Sequence, residues 1–428
     1  MNTKNNQTFY LRNWRWFVLG TLFLATFLNY FDRQTLGTAI DPIASEFGLN
    51  NIQIGNLLAA FLITYAWMHL IIGVITDRIK NLRVFFPVMV TGWSISTMLV
   101  GMVDNYTHLI WLRYLLGIWE AVNFPICIMI ISRIFPLKER NLALGIFASG
   151  AFLATLSAPP VVIYLSSAFN WRDAFVFSGI IGLLWIIPWL LIFRKPEEKV
   201  EGWNAYNQSQ NIGGKSFANQ LRTVGKSYLE VLRAPGFWGV ALIGVGIIPS
   251  LYFATQWFPR FFTHALKVPY DQTLSVKLSG IYLMQDVGLW LGGAIVLYLA
   301  SRKISILRSR KTVIVFAWLL MMTVVVVPEL KSVGWSVFFL CLYVFGIGAF
   351  LGNQHAFKQD VVKGSVATVA ALVGFVEMNF TSQVIERIGV MTNKTGDFSN
   401  VFFMMAGLAT FALIVVFVFM RKKWLHLE

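Results

Sequence analysis

Charge is scarce in this chain: 13% of its 428 residues are Asp, Glu, Lys or Arg, against about 25% in an ordinary soluble domain. Polar stretches are scarce as well, and the only long one, EGWNAYNQSQNIGGKSFANQ, falls within residues 194 to 235. Cysteine is limited to Cys127 and Cys341, both inside apolar runs, where a small apolar thiol is the expected role and a disulfide or metal ligand is not. Neither H-E-x-x-H nor G-x-S-x-G occurs, so no metal or catalytic constellation points to an enzyme. The GGKS at 213 to 216 lacks the first glycine of a phosphate loop, since Ser209 stands there and no strand precedes it, which leaves a flexible linker. No small-residue cleavage site follows the first apolar stretch, so no secretory signal is expected to be removed.

What the chain has in abundance is apolar length. Hydrophobic residues make up 57%, with 37 Phe and 16 Trp. Runs of roughly 20 apolar residues recur throughout, each long enough to cross a hydrocarbon core of about 30 Å as a helix. The pattern predicts an all-α membrane protein with twelve transmembrane helices, near 14–40, 52–76, 84–103, 107–132, 141–166, 173–193, 236–259, 276–301, 312–328, 333–356, 366–388 and 399–420. They divide into a six-helix half (1–193), a cytoplasmic linker (194–235) and a second six-helix half (236–428). Two equal halves suit a transporter that alternates access by rocking one against the other.

The net charge of +15 would suggest nucleic acid in a soluble protein. Here the basic residues follow topology. If both termini are cytoplasmic, most Lys and Arg fall on inside segments, among them Arg78, Lys80 and Arg83, Arg133 to Arg140, Arg302 to Lys311 and Arg421 to Lys423. This positive-inside bias supports an even number of spans and contact with the lipid bilayer, and removes the nucleic-acid reading.

The candidate chemistry lies in charges that a bilayer makes expensive. An Asp, Arg or Lys at the centre of a span costs about 2.5 to 3.5 kcal/mol on insertion scales, so it needs a partner, a cavity or a function. The first span carries Asp32 and Arg33 in NYFDRQ, and the fourth carries Arg113 and Glu120 in RYLLGIWE. Counting residues from the span ends places both arginines in the outer half of the bilayer, and Arg113 and Glu120, seven apart, share one helix face. One cavity between the two spans would collect all four. The competing reading is that Asp32 and Arg33 mark the end of the first span and snorkel, with Arg113 paired to Glu120 merely to neutralise it. Against it, the apolar pattern resumes at Leu36.

The stretch GVITDRIKNLR, from Gly73 to Arg83, resembles the cytoplasmic loop signature of the major facilitator superfamily. That resemblance implies gating roles for Asp77 and Arg78. More narrowly, NYFDRQTLGTAI, RYLLGIWEAVNFP, PLKERNLALGIF and APPV resemble the anion:cation symporter branch, which includes bacterial hexuronate and galactonate transporters; the likeness is strongest over residues 10 to 195. It implies that Arg33 and Arg113 face the carboxylate of a small organic anion, that Asp32 and Glu120 carry protons, and that Tyr30 and Tyr65 line the site. An arginine fork grips a carboxylate bidentately, and a carboxylate beside it can couple protonation to anion binding.

In the second half Gln256, Asn353, Asp286, His355 and Glu377 are polar residues within apolar spans, and Gln256 and Asn353 are the best placed to bind hydroxyls. Departures from the family pattern at Ala148, Ile248 and Glu377 leave the particular substrate open, with Arg387 one candidate partner for Glu377. The expected function is proton-coupled import of a sugar acid, hexuronate or aldonate, by a monomer in a bacterial inner membrane, with the proton gradient as energy source and no cofactor. A major facilitator exporter is the alternative, but SAPPVV at 157 to 162 replaces the GP-x-x-GG of antiporters. A neutral-sugar facilitator would have little need for two intramembrane arginines.

Overall fold

The structure, a computed structural model, describes the backbone of residues 2–76, 81–194, 217–362 and 366–425, and the side chains of 13–72, 81–194, 225–362 and 368–425. Among the described residues the fold is helical. The helices are α1 (Asn2–Thr38), α2 (Ile40–Phe47), α3 (Asn51–Thr76), α4 (Leu82–Val100), α5 (Tyr106–Glu120), α6 (Asn123–Ile134), α7 (Leu137–Ala168), α8 (Trp171–Ile192), α9 (Phe217–Arg233), α10 (Pro235–Arg260), α11 (Gln272–Ser301), α12 (Ile306–Met322), α13 (Val333–Asp360), α14 (Val366–Asn393) and α15 (Ser399–Phe419). Eleven segments of the described residues are long and apolar enough to cross a membrane, and α1, largely apolar from Trp16 to Leu28 between Arg15 and Asn29, is the twelfth helix of the set.

Loop residues fix where the helices start and stop. Asn105, Asn170 and Asp271 each accept a hydrogen bond from a backbone N–H of the following first turn, opening α5, α8 and α11. Gly48 ends α2 in the left-handed region (φ 62°) and returns its N–H to the Ala44 carbonyl. Two local features depart from the sequence pattern. The fourth span is broken at Ala121–Val122, directly after Glu120, because Pro125 has no N–H for the carbonyl four residues earlier. The linker holds a helix, α9, whose Tyr228 hydroxyl donates to the Leu70 carbonyl at 2.8 Å. The GGKS segment lies outside the described residues.

In the first half α1 packs on α7 and α8, α4 on α5 and α8, and α3 on α5. Trp185, Trp189 and Phe193 stack in series, with Phe86 edge-on to both tryptophans, and lock α4 to α8. Close backbone approach depends on small residues: a Cβ at Gly117 of α5 would lie 2.2 Å from Thr64 Oγ1 and 2.5 Å from the Phe61 carbonyl of α3. Thr64 donates across the same seam to the Tyr114 carbonyl at 2.8 Å. In the second half α10 packs on α14 and α15, and α13 on α11 and α12. The halves meet where α3 runs along α14 and α7 along α11. Large apolar side chains such as Trp111, Leu191, Leu297 and Ile414 point outward, as a surface solvated by lipid requires.

At the face opposite the chain ends, polar ties join the halves. Arg260 donates to Asp41 at 2.7 Å and to Asn51 at 2.8 Å, Thr263 donates to Asp41, and His264 Nε2 lies 3.3 Å from Asp41. Asn51 also bonds to Asn393 and to the Thr392 carbonyl, and Tyr270 to the Thr38 carbonyl. Burial alone would raise the Asp41 pKa. The hydrogen bonds from His264 and Thr263 and the charge of Arg260 outweigh burial and hold it below the usual carboxylate range. The stabilisation is therefore complete above the ordinary Asp pKa and is lost only as pH falls through the lowered value, so the latch is intact at neutral pH. Asp41→Asn is expected to weaken it by about 1.5 to 3 kcal/mol, the range of a charge-assisted bond. Spin labels at Asp104 and Lys394, exposed on this face in opposite halves, read the outcome: a longer-distance population in Asp41→Asn at pH 7 supports the latch, and an unchanged distribution contradicts it.

Candidate functional site

The site forms where α1, α3 and α5 converge. Arg33 leaves α1 with 11% of its side chain exposed, and its Nε donates to Glu120 Oε2 at 2.7 Å. Its Nη2 donates to Asn29 Oδ1, one turn earlier on α1, at 2.8 Å. Three rings surround the guanidinium, with Tyr65 at 4.4 Å, Tyr30 at 4.7 Å and Phe61 at 5.1 Å from its central carbon. Cations held over ring faces in a desolvated setting gain about 2 kcal/mol or more. The rings leave the arginine charged and fix its plane, while Glu120 neutralises it.

Arg113 also meets the Phe61 ring, at 5.3 Å, and is 1% exposed. Its Nε finds no hydrogen-bond partner among the described residues, and neither do Glu120 Oε1 or Asn29 Nδ2. Buried polar atoms left open cost about 1 to 3 kcal/mol each, so their concentration at one place marks a site built to receive polar groups. Glu120 is fully buried and pairs with Arg33, not with Arg113 of its own helix. Glu120 is the last residue of α5 before the interruption at Ala121 and Val122, where the backbone stays in the right-handed region.

Asp32, expected in the same cavity, turns to α8 and accepts a hydrogen bond from Ser178; it lies within electrostatic reach of Glu120 and Arg113 but has no direct bond to either arginine. Adjacent residues on a helix point about 100° apart, so Asp32 and Arg33 cannot share a face. Gln256 is 5% exposed with an unpartnered Oε1, and Asn353 donates to the Ala349 carbonyl of its own helix at 2.9 Å. Among the described residues no hydrogen bond joins either to the arginine cluster. His355 is exposed. Asp77 and Arg78 lie outside the described residues.

The sequence reading missed several neighbours. Tyr252 on α10 lies within electrostatic reach of Arg33, Tyr65 and Glu120, and one turn before Gln256 it brings the second half to the site. His69 stands edge-on to Tyr65 with ring centroids 4.6 Å apart, and its Nδ1 lies 2.9 Å from the Tyr65 carbonyl. Phe61 meets both arginines and Ser178 holds Asp32. The only available signal was helical spacing: Phe61, Tyr65 and His69 recur every fourth residue and so share a face of α3.

A sequence model of the Major Facilitator Superfamily matches residues 22–379. The chain belongs to that superfamily. It is similar to the hexuronate transporter of Escherichia coli (strain K12), 23% identical over 416 residues that cover 96% of this chain and 95% of the relative. It is 29% identical over 425 residues to the hexuronate transporter of Bacillus subtilis (strain 168), covering 94% and 93%. To a probable galactarate/D-glucarate transporter of E. coli (strain K12) it is 31% identical over 363 residues, 78% of each chain. Among solved structures, a bacterial homolog of the human lysosomal transporter Spinster shares the fold with a TM-score of 0.74 at 20% identity, covering 96% of this chain and 97% of the other. The xylose transporter XylE of E. coli does so at 0.70 and 14%, covering 96% and 99%. Membership makes this superfamily protein a transporter, not an enzyme, and a multi-pass membrane protein.

Proposed function

We propose that this transporter imports a small sugar acid, of the hexuronate or aldonate class, together with protons across a bacterial inner membrane. The observation that carries the reading is Arg33, held by three aromatic rings and neutralised by the fully buried Glu120. A proton on Glu120 removes the charge that competes for the arginine, and the freed fork then takes the substrate carboxylate. Arg113, with an open Nε beside Phe61, supplies a second positive charge. Asp32, held by Ser178, is a second proton carrier that acts on the cluster through its field rather than by contact. Tyr30, Tyr65, Gln256 and Asn353 offer the sugar ring aromatic faces and hydrogen-bonding groups. The protein works as a monomer with both termini in the cytoplasm, and Asp77 and Arg78 help gate the inner face.

With the termini inside, the Asp41–Arg260 ion pair joins the halves on the outer face. If both carboxylates load, a monoanion enters with two protons and one net positive charge moves inward, gaining about 2.3 kcal/mol per 100 mV. Uptake of labelled glucuronate, galacturonate and galactonate into proteoliposomes under an inward proton gradient tests the reading. Gradient-stimulated uptake of at least one is the expected result. Uptake of none, beside an active control transporter, overturns it.

A further inference from the structure

The second half carries an ion pair that the reading above leaves without a role. Glu377 on α14 is 2% exposed, and Lys358 of α13 donates Nζ to its Oε2 at 3.0 Å. Gln354, one turn before Lys358, donates to the other oxygen of the same carboxylate, while its own Oε1 is buried without a partner. Space for this carboxylate exists only because residue 244 of α10 is glycine: a Cβ there would lie 1.9 Å from Glu377 Oε1. Arg387, one candidate partner in the sequence, is not the residue that meets Glu377.

The pair is connected to the Arg33 site by packed side chains. Gly374, one turn before Glu377 on α14, lies against His69, with the position of a Cβ 3.2 Å from the imidazole Cδ2. His69 in turn meets the edge of Tyr65, and Tyr65 lies under Arg33. Each half therefore brings a cation paired with a buried carboxylate of its own half, Arg33 with Glu120 and Lys358 with Glu377, and His69 stands within electrostatic reach of both cations.

We propose that Lys358 is a second carboxylate-binding residue, with Glu377 holding its place when the site is empty, and that the preferred substrate is a sugar dicarboxylate whose two ends meet Arg33 and Lys358. The inference rests on the sugar-acid reading above and narrows it. A diacid needs a cation at each end, because an unpaired carboxylate in a low-dielectric setting costs several kcal/mol; Arg113 shares the Phe61 ring with Arg33 and serves the same end, whereas Lys358 stands in the opposite half. A monoacid leaves the Lys358–Glu377 pair undisturbed. Lysine, a point charge on a flexible stem, suits the end of the substrate whose orientation is not already fixed by the arginine fork. The open Gln354 Oε1 accepts from a substrate hydroxyl.

The test measures uptake and competition of galactarate, a diacid, and galactonate, a monoacid, in proteoliposomes of the wild type, Lys358→Gln, Lys358→Arg and Arg33→Gln. The wild type is expected to prefer galactarate. Lys358→Gln is expected to lose roughly tenfold to a hundredfold in galactarate affinity, the worth of a charged hydrogen bond, with galactonate changed by less than about twofold; Lys358→Arg recovers the diacid, and Arg33→Gln loses both substrates. A wild type that takes galactonate and ignores galactarate overturns the proposal, as does a Lys358→Gln protein in which both acids lose affinity equally or neither does. If Lys358→Gln does not fold, the wild-type preference and Lys358→Arg decide. A wild type that takes neither acid, nor any hexuronate, overturns the sugar-acid reading itself, a result distinct from the loss of the diacid alone.

Discussion

Arg33→Gln is expected to abolish measurable sugar-acid binding at millimolar concentrations while leaving a folded, extractable protein. The substitution removes the group that, among the described residues, donates to Glu120 Oε2, and with it the cation stacked among Tyr65, Tyr30 and Phe61. Truncating one member of a buried, hydrogen-bonded charge pair costs about 2 to 5 kcal/mol, roughly 30-fold to more than 1,000-fold in affinity. Much of that cost is Glu120 left without its counter-ion, so the loss is not assigned to substrate contact alone. Arg33→Lys separates the two: it keeps the charge that Glu120 needs and removes the planar fork that a carboxylate needs. Ligand-dependent thermal shift of the purified proteins is the measurement. The expected order of affinity is wild type, then Arg33→Lys, then Arg33→Gln, with similar midpoints for wild type and Arg33→Lys in the absence of ligand. Equal affinities in all three would contradict a substrate role for Arg33.

Glu120→Gln is expected to separate binding from coupling. Glutamine is the permanent neutral counterpart of a protonated Glu120, so it accepts from Arg33 through its amide oxygen without holding the fork as a carboxylate does. Exchange of labelled for unlabelled sugar acid across the membrane should persist, because the site binds and turns over in its neutral form. Accumulation driven by a proton gradient should fall by the share that the Glu120 proton drives, leaving at most what Asp32 couples. One pH unit stores about 1.4 kcal/mol per proton and sustains roughly tenfold accumulation for each proton coupled, so the loss is readily measured against the wild type. Accumulation at wild-type levels would show that Glu120 is not the coupling carboxylate and would shift that role to Asp32.

Much of this arrangement is legible in the sequence, for a physical reason. In lipid every apolar run of about 20 residues must close its backbone hydrogen bonds as a helix, so length alone marks the spans of an otherwise patternless chain. The same solvent makes intramembrane charge conspicuous, which is why Asp32, Arg33, Arg113 and Glu120 stand out. What remains hidden is which face of each helix meets which neighbour. A span that packs against protein on one side and lipid on the other is apolar all round, so hydrophobic periodicity gives little direction.

For that reason the pairing of Glu120 with Arg33 across two helices, and the turn of Asp32 toward Ser178, emerge only from the packing of α1, α5 and α8. The partner of Glu377 was hidden in the same way. Arg387 is ten residues away on the same helix, close to three turns, whereas Lys358 lies on a different helix and meets the carboxylate at 3.0 Å, in the space that Gly244 leaves for Glu377. Tyr252 sits in an ordinary apolar run, and the every-fourth-residue spacing that puts His69 on one face of α3 with Phe61 and Tyr65 is also that of a core face. The break after Glu120 had a visible cause in Pro125, but proline in a membrane helix is commonly tolerated without a break.

The claim on which the rest depends is that substrate and protons cross together. It is tested most directly by proteoliposomes in lightly buffered medium with no imposed gradient, followed with an external pH electrode as an unlabelled sugar acid is added. The account predicts external alkalinisation that begins with substrate, scales with its uptake, and is absent in Arg33→Gln. Sugar-acid uptake without any proton movement would contradict it.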